Sequence, residues 1–103
     1  MTQPYILTTG AASDLEKIVR YTEREWGAAR RRSYIQQLEN VASELASGVG
    51  SFRQRDDLYP NVRVRKAGHH FIFCLPQTDG PALILAVLHE RMDIIARLNE
   101  RLD

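Results

Sequence analysis

The chain is poor in cysteine: a single one, Cys74, stands among 103 residues. That excludes an intramolecular disulfide and any cysteine-rich zinc site, and it agrees with a reducing compartment. No apolar segment near the N-terminus is long enough for a signal peptide, and no apolar run approaches the length of a membrane span. An excess of charge of one sign is missing too. Fourteen basic against 13 acidic residues leave a net charge of +1, so bulk electrostatics do not mark a nucleic-acid binder. Linkers, internal repeats and low-complexity tracts are absent. What remains, 44% hydrophobic and 26% charged residues, is ordinary globular composition with enough chain for one core. These features predict one cytoplasmic domain over residues 1–103 and leave its activity open.

Patterning predicts the elements. Tyr5-Ile6-Leu7-Thr8-Thr9 after Pro4 reads as a first strand. Ser13-Asp14-Leu15-Glu16 has the form of a capping box. Leu15, Ile18, Val19, Thr22 and Trp26 then follow one helical face up to Gly27. A second helix opens at Arg30-Arg31-Arg32, carries Tyr34, Ile35, Leu38, Val41, Ala42 and Leu45 on one stripe, and ends at Ser47-Gly48. So short a break between two helices makes a helical hairpin. Residues 49–57 read as a polar loop.

Val62-Arg63-Val64-Arg65 alternates apolar and basic, Gly68 supplies a turn, and Phe71–Leu75 is apolar on both faces. After the turn Thr78-Asp79-Gly80-Pro81 comes the fully apolar run Leu83–Leu88, the mark of a buried strand. It breaks into the polar cluster His89-Glu90-Arg91-Met92-Asp93 before a short helical pattern through Ile94, Ile95, Leu98 and Leu102. The predicted class is α+β in the order β-α-α-β-β-β with a short C-terminal helix. The helical hairpin covers one face of a mainly antiparallel sheet. Two strands apolar on both sides require that the second face be covered as well, by the last helix, a partner, or both.

Four motifs stand in order along this frame. They are Ala11-Ala12-Ser13-Asp14-Leu15-Glu16-Lys17-Ile18, then Tyr21-Thr22-Glu23-Arg24-Glu25-Trp26-Gly27. His70-Phe71-Ile72-Phe73 follows, and Ile84-Leu85-Ala86-Val87-Leu88-His89-Glu90-Arg91-Met92-Asp93 closes the set. Together they resemble the ParE branch of the RelE/ParE toxins, the toxin halves of bacterial toxin–antitoxin pairs. The resemblance implies a RelE/ParE-like fold and neutralisation by a cognate antitoxin in a higher-order complex. The antitoxin would lay a helix in a groove and add a strand at the sheet edge. It further implies DNA gyrase as target, inhibited by stabilising its cleaved DNA complex, with no cofactor, no membrane and no direct sequence-specific nucleic-acid binding. One alternative is a RelE-like ribosome-dependent endoribonuclease using Arg63, Arg65, Arg91 and His89. Such chemistry needs cations around a phosphate and a proton-transfer group. The other is a non-toxic, antitoxin-binding corepressor.

The candidate site residues follow from this frame. His89 is the one side chain near the tail of a type that could transfer a proton at neutral pH, and with Arg91, Met92 and Asp93 it forms the expected target-binding segment. Asp93 and Glu90 suit a helix N-terminus by charge alone; Arg91 has no such reason to be there. Arg31 lies on the apolar stripe of the second helix, either reaching past the sheet or pairing with an antitoxin carboxylate. Arg63 and Arg65 share one strand face, either as a solvated guard against edge pairing or as a basic patch for the antitoxin. His69 and His70, adjacent in a strand, would point to opposite faces, which argues against a shared metal. Cys74 reads as a small core residue.

Overall fold

The structure, a computed structural model, describes residues 4–102. The elements run β1 (Tyr5–Leu7), α1 (Thr9–Trp26), α2 (Ala28–Ser47), β2 (Arg53–Gln54), β3 (Arg63–Ala67), β4 (His70–Leu75), β5 (Ala82–His89) and α3 (Ile94–Leu102). The sheet order is β1-β5-β4-β3-β2, with β1 parallel to β5 and every other pair antiparallel. This is the expected α+β frame, with one strand more than predicted. The segment read as a polar loop holds β2, whose two residues pair with Val64 and Arg63. Too few residues alternate there for a periodic signal.

Each sheet face carries its own core. On one, Ile72, Cys74, Ile84 and Val87 pack against Ile18, Leu38, Val41, Ala42 and Leu45 of the helical hairpin. On the other, Val62, Phe73, Ala86 and Leu88 pack against Leu98, with Ile94 and Leu102 at the margin. The last helix therefore covers the second face. Cys74 is fully buried, as expected of a core thiol.

Two local readings change. The first helix is capped by Thr8, whose hydroxyl accepts from the amide of Ala11 (3.2 Å), not by Ser13. The Thr8 hydroxyl also donates to the carbonyl of Ile84 (2.9 Å), so a contact with β5 sets the start of the helix. Trp26, placed by spacing on the apolar face, is 62% exposed; Thr22 is the last residue of α1 that is not exposed.

The ladder between β4 and β5 slips once. Phe73 faces Ala86 and Cys74 faces Ile84, leaving Leu85 as the extra residue of a bulge. The freed Leu85 carbonyl accepts from Arg101 of α3 (3.0 Å). Arg101 also forks onto Asp14 of α1 through hydrogen bonds of 2.7 and 3.0 Å, and the same carboxylate accepts from the amide of Val87 (2.9 Å). One carboxylate thus ties α1, β5 and α3 together.

Candidate functional site

The end of β5 meets the β3–β4 turn. Register sets His70 opposite both Ala67 and His89, and His69 falls in the turn before β4 rather than in the strand. The two adjacent histidines therefore do not diverge, as strand alternation would have required. The ring of His89 lies edge-on to His70 with centroids 5.1 Å apart, and is stacked with His69 at 6.2 Å. Gly68 makes the turn possible. Its φ is 61°, and a Cβ there would overlap the ring of Tyr34.

Tyr34 reaches this turn from α2. Its hydroxyl lies 2.6 Å from Nδ1 of His70, accepts from the amide of His69 (3.0 Å), and is 3.2 Å from the carbonyl of Ala67. With one proton to give, it donates either to Ala67 or to His70, and the imidazole tautomer follows that choice. Burial, reinforced by the neighbouring His89 and His69, pushes the His70 pKa down to about 4. It is a neutral imidazole at pH 7.

Glu90 closes the cluster. Its carboxylate takes Lys66 at 2.5 Å and Nδ1 of His69 at 3.1 Å, and these partners draw its pKa to about 2. Its amide donates to the carbonyl of His69 (2.8 Å). Beyond it the chain turns: the amide of Arg91 donates to Nδ1 of His89 (3.1 Å), and that of Met92 to the His89 carbonyl (3.0 Å). Nδ1 of His89 is therefore the acceptor, which places the proton of the neutral ring on Nε2. Asp93 caps α3 by accepting from the amide of Ala96 (3.2 Å). Arg91, Met92 and Asp93 are all exposed.

The remaining candidates lie elsewhere. Arg63 donates to the carbonyl of Leu45 (2.7 Å) and sits over the ring of Phe52, 5.1 Å from its centroid; Arg65 pairs with Glu44. Both cations serve the C-terminal turn of α2, where positive charge is favourable. They face the helical hairpin rather than open solvent. Arg31 pairs with Glu23 across the hairpin at 3.4 Å. Between α2 and β3 runs an open groove of about 450 Å³, bordered by Gln36, Gln37, Asn40, Glu44, Arg65 and Lys66.

Tyr34 was not among the sequence candidates; Glu90 was read only as suited to a helix N-terminus, and Lys66 was not placed beside it. The one available signal was the phenol of Tyr34 on a stripe otherwise apolar, since a half-buried hydroxyl needs a partner.

A model of the family described as ParE toxin of type II toxin–antitoxin system, parDE, matches residues 5–94. The chain belongs to the ParE toxin family. It is 51% identical over 98 residues to Toxin ParE of Escherichia coli, covering 95% of each chain. Toxin ParE1 of Mycobacterium tuberculosis is 30% identical over 94 residues, 91% of this chain and 96% of its own. Toxin ParE1 of Caulobacter vibrioides is 28% identical over 96 residues, 93% of this chain and 98% of its own. This ParE chain is thus the toxin half of a type II system, and a cognate antitoxin is implied by the family. No helix among its described residues is long and apolar enough to cross a membrane.

Proposed function

We propose that this ParE toxin inhibits DNA gyrase by stabilising the enzyme's cleaved DNA complex, and that it acts by binding rather than by catalysis. The observation that carries the reading is the Arg91-Met92-Asp93 turn. It follows the end of β5, exposed, with the amides of Arg91 and Met92 hydrogen-bonded to His89. A short preorganised turn with a cation, a flexible apolar side chain (Met92, 46% exposed) and a carboxylate suits docking on a protein surface. His89 positions it. A ribonuclease would instead gather Arg63, Arg65 and Arg91 around a phosphate, yet the first two are engaged by α2.

The antitoxin would lie along the α2–β3 groove, with Arg31 near one end and Arg63 and Arg65 near the other. β2 pairs only with Arg63 and Val64, so the outer edge of residues 65–67 has no strand beside it among the described residues. An extended acidic segment could add there.

The test mixes the toxin with supercoiled plasmid, gyrase and ATP, followed by detergent and protease. Gyrase-dependent linear DNA is expected. An Arg91→Ala, Met92→Ala double variant should retain the melting temperature and antitoxin affinity but lose about tenfold or more of this activity. Cleavage of ribosome-bound message without linear plasmid would overturn the proposal in favour of a ribonuclease.

A further inference from the structure

We propose that the tip of the α1–α2 hairpin binds single-stranded nucleic acid, through its arginines to phosphates and through Trp26 to a base. This surface is separate from the Arg91–Asp93 turn, and its role does not depend on which enzyme the toxin acts on. Charge is concentrated there. Residues 20–32 hold five arginines and two glutamates, a local excess of three positive charges. The whole chain carries only +1, so the remainder is net acidic. Both glutamates are already occupied, Glu23 by Arg31 at 3.4 Å and Glu25 by Arg24 at 3.6 Å. Arg20, Arg30 and Arg32 have no ion-pair partner among the described residues.

Folding does not account for these residues. Arg30 and Arg31 fall in the first turn of α2 and Arg32 directly follows, at the helix end whose dipole disfavours cations. Trp26 and Tyr21 are 62% and 55% exposed, so neither ring serves the core. Instead each aromatic ring carries a guanidinium: Arg30 over Trp26 at 5.7 Å and Arg24 over Tyr21 at 5.8 Å. Exposed rings with a guanidinium on one side and the other side free, beside Arg20, Arg30 and Arg32, are the chemistry that holds unstacked bases and the backbone between them. A duplex, its bases already stacked, offers only phosphates. A protein surface can also engage rings and arginines; stacking of a base on Trp26 is what marks the single strand, and a titration of its fluorescence reads it directly.

Trp26 is the only tryptophan of the chain, so its fluorescence reports the site directly. A short oligothymidylate titrated into the toxin should quench it, with an affinity that falls as salt rises. The double variant Arg30→Glu, Arg32→Glu should bind about tenfold more weakly, and its log–log salt slope should drop by about 0.7 for each phosphate no longer neutralised. Placing acidic residues at the start of α2 favours the helix, so this variant should melt no lower than the parent, which separates weakened binding from a damaged fold. Trp26→Phe should retain most of the affinity and Trp26→Ala should not, both followed with a labelled oligonucleotide. Three results would each overturn the proposal: no quenching at low salt, equal quenching by polyglutamate or by duplex, or an affinity unchanged by the charge reversal.

Discussion

The two faces of the sheet are covered by unequal amounts of chain. One lies under two helices of 18 and 20 residues, while the other lies under a single helix of 9 and the loop that carries Leu58 and Val62. The long pair brings its own continuous apolar stripes. The short helix offers one fully buried residue, Leu98, with Ile94 and Leu102 at its edges. A helix of that length is marginal in water by itself, so α3 depends on what it lands on. What it lands on is polar as well as apolar: Arg101 is held by Asp14 and by the bulge carbonyl of Leu85. Local opening is therefore expected first on the thinly covered side. That is also the side from which the exposed Arg91–Asp93 turn leads, so local opening of α3 would reach the proposed target contact.

Removing the buried leucines, one from each side, should disturb this contrast most. Leu98→Ala and Leu45→Ala each delete a side chain that is 0% exposed, and each should cost about 3 kcal/mol. In native-state hydrogen exchange, Leu98→Ala should release the amides of α3 first, while Leu45→Ala lowers protection throughout. Equal loss everywhere in both variants would show the two faces to be one cooperative unit.

Next comes Asp14→Asn, which leaves Arg101 without its carboxylate and weakens the acceptor for the Val87 amide. The expected cost is about 2 kcal/mol in denaturant unfolding, below that of a fully buried pair because Arg101 retains some exposure. A double-mutant cycle with Arg101→Met should recover most of it as coupling energy. Additive losses would deny the clamp.

A smaller effect belongs to pH and to the thicker side. His70 is held at about 4, below its ordinary 6.5, by burial and then by His89 and His69. Between those values the unfolded chain takes up a proton that the folded chain refuses. The stability His70 contributes is therefore complete above pH 6.5 and is lost as pH falls toward 4. Allowing for its partial exposure, this is about 1–2 kcal/mol, and a His70→Asn variant should show a flatter pH dependence of melting over that range. Glu90, drawn to about 2 chiefly by Lys66 and then by His69, has its contribution in full above pH 4.5 and loses it only below that.

The smallest effect is the most pointed. Gly10 lies in α1, where alanine is ordinarily favoured by up to about 1 kcal/mol. Here a Cβ would sit 2.8 Å from the guanidinium of Arg101. Gly10→Ala should therefore yield no gain in melting temperature, and combined with Arg101→Met the ordinary gain should return. A gain in the single variant would show that Arg101 moves aside without cost.

Much of this was legible along the chain. Six elements and the last helix follow from spacing, because a helix or strand with one buried face repeats its apolar residues at its own period. The need for a cover on the second face followed from Phe71–Leu75 and Leu83–Leu88, which leave no side for water. The cap at Thr8 was not legible, because Ser13 to Glu16 satisfies the local rule while the start of α1 is set by β5. Arg63 and Arg65 resisted for a related reason. Alternation puts them on one face and leaves open which face that is, and only the packing of α2 puts helix carbonyls within their reach. Of the site, His89 through Asp93 stood out as a polar break after an apolar run. Glu90 belongs to that break, but its partners Lys66 and His69 come from another strand and turn, and Tyr34 offered only a phenol on an otherwise apolar stripe.

Neighbouring residues and their aversion to water were enough to settle which segments become helix or strand, which faces are buried, and where the final strand ends in a charged turn. The polar partnerships were settled only by the packed fold: Asp14 with Arg101, 87 positions apart, and Tyr34 with His70, 36 apart. Hydrogen bonds are short and directional, so they form only where strand register and helix packing have already brought the two groups within about 3 Å. No local pattern carries that coincidence.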